Sequence, residues 1–205
     1  PYSWTGFASN IEVLAKAAPI AGHFNTTPDI DGVVRFLPLL AEYKGEYYES
    51  LALAMFRRLA GSPKVVPGFS DEQWLSRSYQ GLDRILLKQA QSSLSISVDK
   101  HISTLVPYRG PGGAKGGSFR YVSAADVLAG RLPPDSLKDK IVLVGTTAPG
   151  LLDLRVTPVG QVYPGVEAHA NLLSAWLDDK VTVKPDYAVG YDVFVLIVAG
   201  LLLAI

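Results

Sequence analysis

The strongest constraint in this sequence is a run of four apolar residues, three of them β-branched, at positions 141–144. A strand that is apolar on both faces is typical of the centre of a sheet covered on both sides, most often a parallel one. A loop rich in Gly, Thr and Pro follows, and after Gly165 a helix is predicted from an apolar stripe: Val166, Ala170, Leu173 and Leu177. The unit is strand, loop, helix. We therefore expect an α/β fold with a central, largely parallel sheet and helices on its faces.

The loop at 145–165 is the first place to expect a ligand, because open α/β sheets bind ligands beyond the carboxyl ends of their strands. Its sequence does not support a phosphate loop, which needs Lys and Ser or Thr directly after the second Gly. Leu151 and Leu152 occupy those places after Gly150. A plain turn is the better interpretation.

Other segments carry clear local signals. Helices are predicted after Asn10, after the cap Ser50, from a capping box that begins at Ser70, and after the cap Ser123. The predicted elements are helices at 11–17, 51–59, 70–91 and 124–129, strands at 20–24, 33–40 and 94–98, and a linker at 62–70.

Two arginines stand in apolar strand contexts, Arg35 and Arg109. A half-buried guanidinium needs an acceptor, because an unpaired buried charge is costly. We expect structural ion pairs and predict that Arg109 is held by Asp29, Asp31 or Asp153. The first two aspartates belong to a turn built by Asx side chains, since the spacing fails the EF-hand loop, although an irregular cation site stays open. An arginine presented to an anionic ligand is the alternative.

Composition excludes several classes of function. Nineteen basic residues balance nineteen acidic ones, so nucleic-acid binding has no support, and the absence of cysteine excludes thiolate chemistry. His23 and His101 show no metal-ligand spacing. Glu167 and Asn171 share a helix face, while His169 falls on the apolar side and is interpreted as a core residue. No cofactor is predicted.

The tail contains thirteen consecutive apolar residues, 193–205. As a helix they span about 20 Å, whereas a bilayer core needs about 30 Å. We expect a transmembrane helix that starts near Tyr187, has Asp192 near the interface and continues past Ile205. The alternative is a buried C-terminal helix of the domain.

Three ordered blocks carry a family signature. The first includes Asn25, residues 28–35, 38–40 and 50–52; the second residues 108–111 and 122–128; the third residues 137–146, Asp153, 157–158, 163–167 and 169–171. Together they resemble the CHASE-2 family of bacterial extracellular sensory domains over residues 20–178. The resemblance implies a domain outside the cytoplasmic membrane, joined by transmembrane helices to a cytoplasmic adenylate or guanylate cyclase, serine/threonine kinase or histidine kinase. It also implies that the domain's first strand and helix precede residue 1.

We therefore predict a non-enzymatic sensor domain at 1–180, a juxtamembrane linker at 181–186 and the start of a membrane helix at 187–205. The expected partners are an unknown small-molecule or environmental signal, the membrane and a second copy of the chain. The alternatives are a periplasmic hydrolase with a metal held by Asp29, Asp31, Glu167 and His169, and a structural dimerisation module. Candidate ligand-binding residues are Asn25, Asp29, Asp31, Arg109, Thr146, Asp153 and Arg155; candidate structural residues are Arg35, Asp126, Glu167, His169 and Asn171.

Overall fold

The computed structural model of the chain describes residues 1–18, 20–69, 81–88, 93–147, 153–180 and 188–203. They form a mixed α/β structure of short strands and five helices. The helices are α1 Glu12–Ala17, α2 Leu51–Leu59, α3 Ala124–Leu128, α4 Gly165–Leu177 and α5 Ala188–Leu203. The strands are β1 Tyr2–Ser3, β2 Phe36–Pro38, β3 Leu40–Tyr43, β4 Glu46–Glu49, β5 Lys64–Phe69, β6 Leu82–Lys88, β7 Ser93–Ser97, β8 Ser103–Leu105, β9 Leu154–Thr157 and β10 Gly160–Pro164.

The described strands form four small sheets, not the central parallel sheet expected. Their orders are β1-β3-β4, β2-β8, β5-β6-β7 and β9-β10. Every named strand pair is antiparallel except β1 with β3. Residues 141–144 lie outside these strands, and Val144 is 89% exposed. The prediction of a central strand there was wrong, because an apolar run specifies burial by some partner without specifying which one.

The core lies between helices α2 and α4 and the sheet β5-β6-β7. It contains Leu37, Leu39, Leu53, Ile85, Leu87, Ile96, Leu172 and Trp176. Phe56 on α2 meets Trp176 on α4 edge to face, with ring centroids 5.6 Å apart. The two helices are thus fixed to each other through aromatic as well as aliphatic contact.

Several local predictions are confirmed. Ser50 caps α2 through its hydroxyl, which accepts from the Leu53 amide, and α4 spans the predicted region. The strand near 94–98 is present as β7, with Ile96 fully buried. Ser123 precedes α3 but makes no side-chain capping bond.

The predictions for 62–91 were wrong where the structure describes them. The supposed linker contains β5, and residues 82–88 form strand β6, with Ile85 and Leu87 buried. Antiparallel pairing with the neighbouring strands β5 and β7 overrides the helical propensity. The remainder of that predicted helix lies outside the described residues.

Helix α5 exposes its apolar side chains around its whole circumference, including Phe194, Leu196 and Leu203. It is nevertheless too short to count as a membrane span, and none of the helices in the described ranges combines the length and apolarity needed to cross a bilayer.

Candidate functional site

Helix α4 brings together the polar side chains that the rest of the domain encloses. Ten of its thirteen residues are buried, among them Glu167, His169 and Asn171, none more than 2% exposed. Positions i and i+4 share a helix face, while i+2 points to nearly the opposite side. The three polar residues therefore meet different segments of the chain.

Glu167 anchors the glycine-rich loop at 110–117. Its Oε2 accepts hydrogen bonds from the Gly113 amide at 2.7 Å and from the Tyr121 hydroxyl at 2.9 Å. A Cβ atom on Gly112 would lie 2.6 Å from the Tyr163 ring, so only glycine allows this approach. Burial, followed by the Glu167 carboxylate, raises the pKa of Tyr121. The loop is held against α4 by a charge-assisted bond.

Asn171 ties the same face to two further segments. Its Nδ2 donates to the Tyr163 hydroxyl and to the Glu167 carbonyl, both at 2.7 Å. Its Oδ1 accepts from the Arg109 amide at 3.0 Å. Burial raises the pKa of Tyr163 to about 12, so the phenol stays neutral. Glu167 and Asn171, which were predicted to share a helix face, thus belong to one hydrogen-bond network.

His169, on the other face of α4, lies near His23. No sequence pattern indicates His23 as its partner. Neither ring nitrogen of either histidine makes a hydrogen bond with a described residue, although all four nitrogens are buried. The main chain of Phe24 and the carboxylate of Asp153 are the groups that favour protonated His169. His169 is buried, so the prediction of a core residue is confirmed.

Arg35 is held by the turn at 29–32. Its Nη1 donates to Asp29 at 2.8 Å and its Nη2 to Asp31 at 2.7 Å. Asp31 also accepts from the Val33 amide at 3.1 Å, the bond expected of an Asx turn. Arg35, then the Val33 amide, lowers the pKa of Asp31 to about 2. The predicted structural ion pair is confirmed, and both aspartates are engaged by it.

Arg109 pairs with Asp178, just beyond the C-terminus of α4, and not with Asp29, Asp31 or Asp153. That prediction was wrong because Asp29 and Asp31 are already paired with Arg35, which lies only six positions from Asp29. The Arg109 guanidinium also lies 6.0 Å from the Phe119 ring. A shallow groove of about 470 Å³ adjoins it, lined by Pro107, Arg109, Ala175 and Lys180.

The remaining predicted residues are dispersed. Arg155 donates to the Thr26 hydroxyl at 2.8 Å, next to exposed Asn25, and Asp153 accepts the Gly165 amide through its main-chain carbonyl. Thr146 is exposed, and Asp126 pairs with Arg131. Within the described ranges no three His, Asp or Glu side chains are placed to hold a metal ion.

Sequence reasoning missed the partners of α4: Gly113, Tyr121, Tyr163, Asp178 and His23. The only signal for them was the glycine-rich stretch at 112–117. Glycines that allow close backbone approach and glycines that merely loosen a loop look alike in one sequence.

A family model for the CHASE2 domain matches residues 7–205. The match covers almost the whole chain and extends beyond the region 20–178 on which the resemblance was recognised. No curated protein and no solved structure matches the chain.

Proposed function

This chain belongs to the CHASE2 domain family, and from that membership we propose that it is the extracytoplasmic sensor of a bacterial membrane receptor. CHASE2 is a sensory extracellular domain of receptors, which fits a non-enzymatic role for the chain. We further propose that the signal passes to a cytoplasmic cyclase or protein kinase, and that the receptor lies in the bacterial cytoplasmic membrane.

The observation that carries the relay is the position of α4. This helix binds the glycine-rich loop through Glu167, the segment at 108–109 through Asn171 and the core through Trp176. A ligand that changes any of these contacts changes the position of α4, because packed elements move as units. Residues 178–187 alone separate α4 from the apolar helix α5. Displacement of α4 would thereby reach the membrane.

We propose that α5 belongs to the start of a transmembrane segment at 187–205, joined by a linker at 181–186 to a sensor domain at 1–180. Apolar side chains exposed around a whole helix are costly in water and favourable in lipid. The signal would enter near Asn25, Thr146, Asp153 and Arg155, and two copies of the chain would pair. Asp29, Asp31 and Arg109 already bind protein groups, so a ligand there would compete with them.

Cysteine labelling in cells tests the location. The sequence contains no cysteine, so one introduced thiol reports on one site. Ala114→Cys places it on the exposed loop, and Leu39→Cys places it in the core as a matched control. Spheroplasts that contain the full membrane protein are treated with a membrane-impermeant maleimide, and the labelling is compared with that of the same protein without the introduced cysteine.

The Ala114→Cys variant is expected to react in intact spheroplasts as completely as in lysed ones. Leu39→Cys should react only after unfolding. Labelling of Ala114→Cys only after lysis would place the domain in the cytoplasm and overturn the proposal.

A further inference from the structure

The pair formed by half-buried His23 and buried His169 is the feature of this domain that its packing explains least. Buried polar groups in folded proteins are hydrogen-bonded in roughly 90% of cases or more. Here both ring nitrogens of His23 and of His169 are buried and lack a hydrogen-bond partner among the described residues. Buried imidazole nitrogens without a partner are a cost of folding that ordinary core packing would avoid.

His23 fastens the N-terminal part of the chain to the start of α2. Its amide donates to the Glu49 carbonyl at 2.8 Å, and its carbonyl accepts from the Leu51 amide at 2.7 Å. Trp4 contacts its ring edge to face, with centroids 4.8 Å apart. A Cβ atom on Gly22 would lie 2.8 Å from the Leu51 backbone, so the two segments are in close contact.

His169 faces this attachment from α4. The positive charge of His169 opposes the protonation of His23. Of the charged groups around the pair, Asp153 favours protonation of His169, while the Glu49 carboxylate is engaged by Arg57. Trp4, which contacts the His23 ring, and the residues that flank His23 in sequence are uncharged. Among the described residues, Asp153 is thus the carboxylate that favours a charge on the pair.

We propose that His23 and His169 form a proton-binding site, the histidine latch, through which acidification releases the segment around His23 from α2 and α4. The ligand is the proton, and the consequence is a freed face of α4. This inference names the stimulus of the proposed sensor and rests on that function for its biological meaning. The release itself is a property of the isolated protein.

The direction of the pH effect follows from burial. Desolvation, followed by the charge of His169, lowers the pKa of His23 from 6.5 to about 4. Desolvation also lowers the pKa of His169, against the opposite influence of Phe24 and Asp153. Above pH 6.5 neither state binds these protons, so the latch is stable. Between pH 6.5 and 4 the released state binds protons that the closed state excludes, and the closed state is progressively lost.

Amide hydrogen exchange of the full chain, purified in detergent micelles, measures this release. The informative amide is that of Leu51, which donates to the His23 carbonyl. Its protection factor, corrected for intrinsic exchange at each pH, is compared at pH 7.5 and 4.5. We expect at least a tenfold loss of protection at pH 4.5. The amide of Leu172, in the middle of α4, is expected to keep its protection.

Variants assign the effect to the pair. The double variant His23→Gln with His169→Gln should lose the pH dependence, while His101→Gln, the third histidine of the chain, should retain it. Equal Leu51 protection at both pH values in the unmodified protein would overturn the proposal. So would a double variant with an unchanged pH response.

A second measurement needs no variant of the pair. The ring protons of the three histidines are followed by NMR during a pH titration of the unmodified protein. The His23 and His169 signals are expected to titrate together with the loss of Leu51 protection, below pH 6.5. Titration of both at 6.5 or higher overturns the latch. A failed latch leaves the labelling result intact, and cytoplasmic labelling would leave the latch intact, so the two proposals fail separately.

Discussion

Helix α4 and the segment at 121–147 invert the usual relation between polarity and burial. In α4 a carboxylate, an imidazole and an amide are buried. In the segment at 121–147 large apolar side chains are exposed: Val127, Leu128, Ile141, Val142 and Val144. Burial here follows from how many elements surround a segment, and side-chain polarity alone does not set it.

The difference has a local structural cause. The first amide of α4 is bound by Asp153, and the face that carries Glu167 and Asn171 then meets partners that hydrogen-bond to both side chains. Residues 141–144 lack comparable support. No described hydrogen bond involves their amides. The chain contacts α4 just after residue 144, where Gly145 approaches Val166 in the first turn of the helix.

The largest expected effect comes from deleting the same side chain in the two regions. Leu172→Ala removes a core residue that is 1% exposed, and Leu128→Ala removes one that is 89% exposed. Urea denaturation should show a loss of about 2–5 kcal/mol in the free energy of unfolding for Leu172→Ala. Leu128→Ala should change it by less than about 0.5 kcal/mol. Equal losses would mean that the segment at 121–147 is packed as tightly as α4.

The sequence predicted those features of the molecule that are set within a few residues. The turn at 29–32 and its ion pair with Arg35 involve neighbours in the chain, as does the cap of α2 by Ser50. The amphipathic pattern of α4 was likewise sufficient. These local features could be derived because propensity, capping and charge pairing act at short range.

The candidate site could not be derived in the same way. Gly113 meets Glu167 across 54 positions, and Arg109 meets Asn171 across 62. Strand β6 was mistaken for part of a helix for a different reason, because a short apolar run fits the spacing of either element. The apolar residues at 141–144 gave the strongest sequence signal and the wrong element, since the pattern cannot state what packs against it.

The buried amide of Asn171 provides the next test. Asn171→Ala leaves the Arg109 amide and the Tyr163 hydroxyl without their partner, and a buried unsatisfied group costs about 1–3 kcal/mol. We expect a loss of about 2–3 kcal/mol in the free energy of unfolding. The matched exposed change, Asn25→Ala, should cost less than about 0.5 kcal/mol.

A double-mutant cycle with Tyr163→Phe resolves the source of that loss. The phenol hydroxyl should matter less once Asn171 is gone, which gives a coupling energy of about 1 kcal/mol. Additive losses from Asn171→Ala and Tyr163→Phe would show that the 2.7 Å contact between them contributes nothing to stability.

The smallest expected effect tests the exposed side of the comparison most directly. Val144→Thr exchanges a methyl for a hydroxyl with almost no change in volume, and the side chain is 89% exposed. Water can solvate the new hydroxyl, so the free energy of unfolding should change by less than about 0.5 kcal/mol. The matched change Val34→Thr places a hydroxyl at a position that is 1% exposed, where desolvation costs about 1–3 kcal/mol. Thermal or urea unfolding of the two variants gives the ratio of their losses in the free energy of unfolding.

A loss above about 1 kcal/mol for Val144→Thr would mean that this valine is covered in the folded protein. The segment at 141–144 would then resemble α4, and the contrast between the two regions would no longer hold.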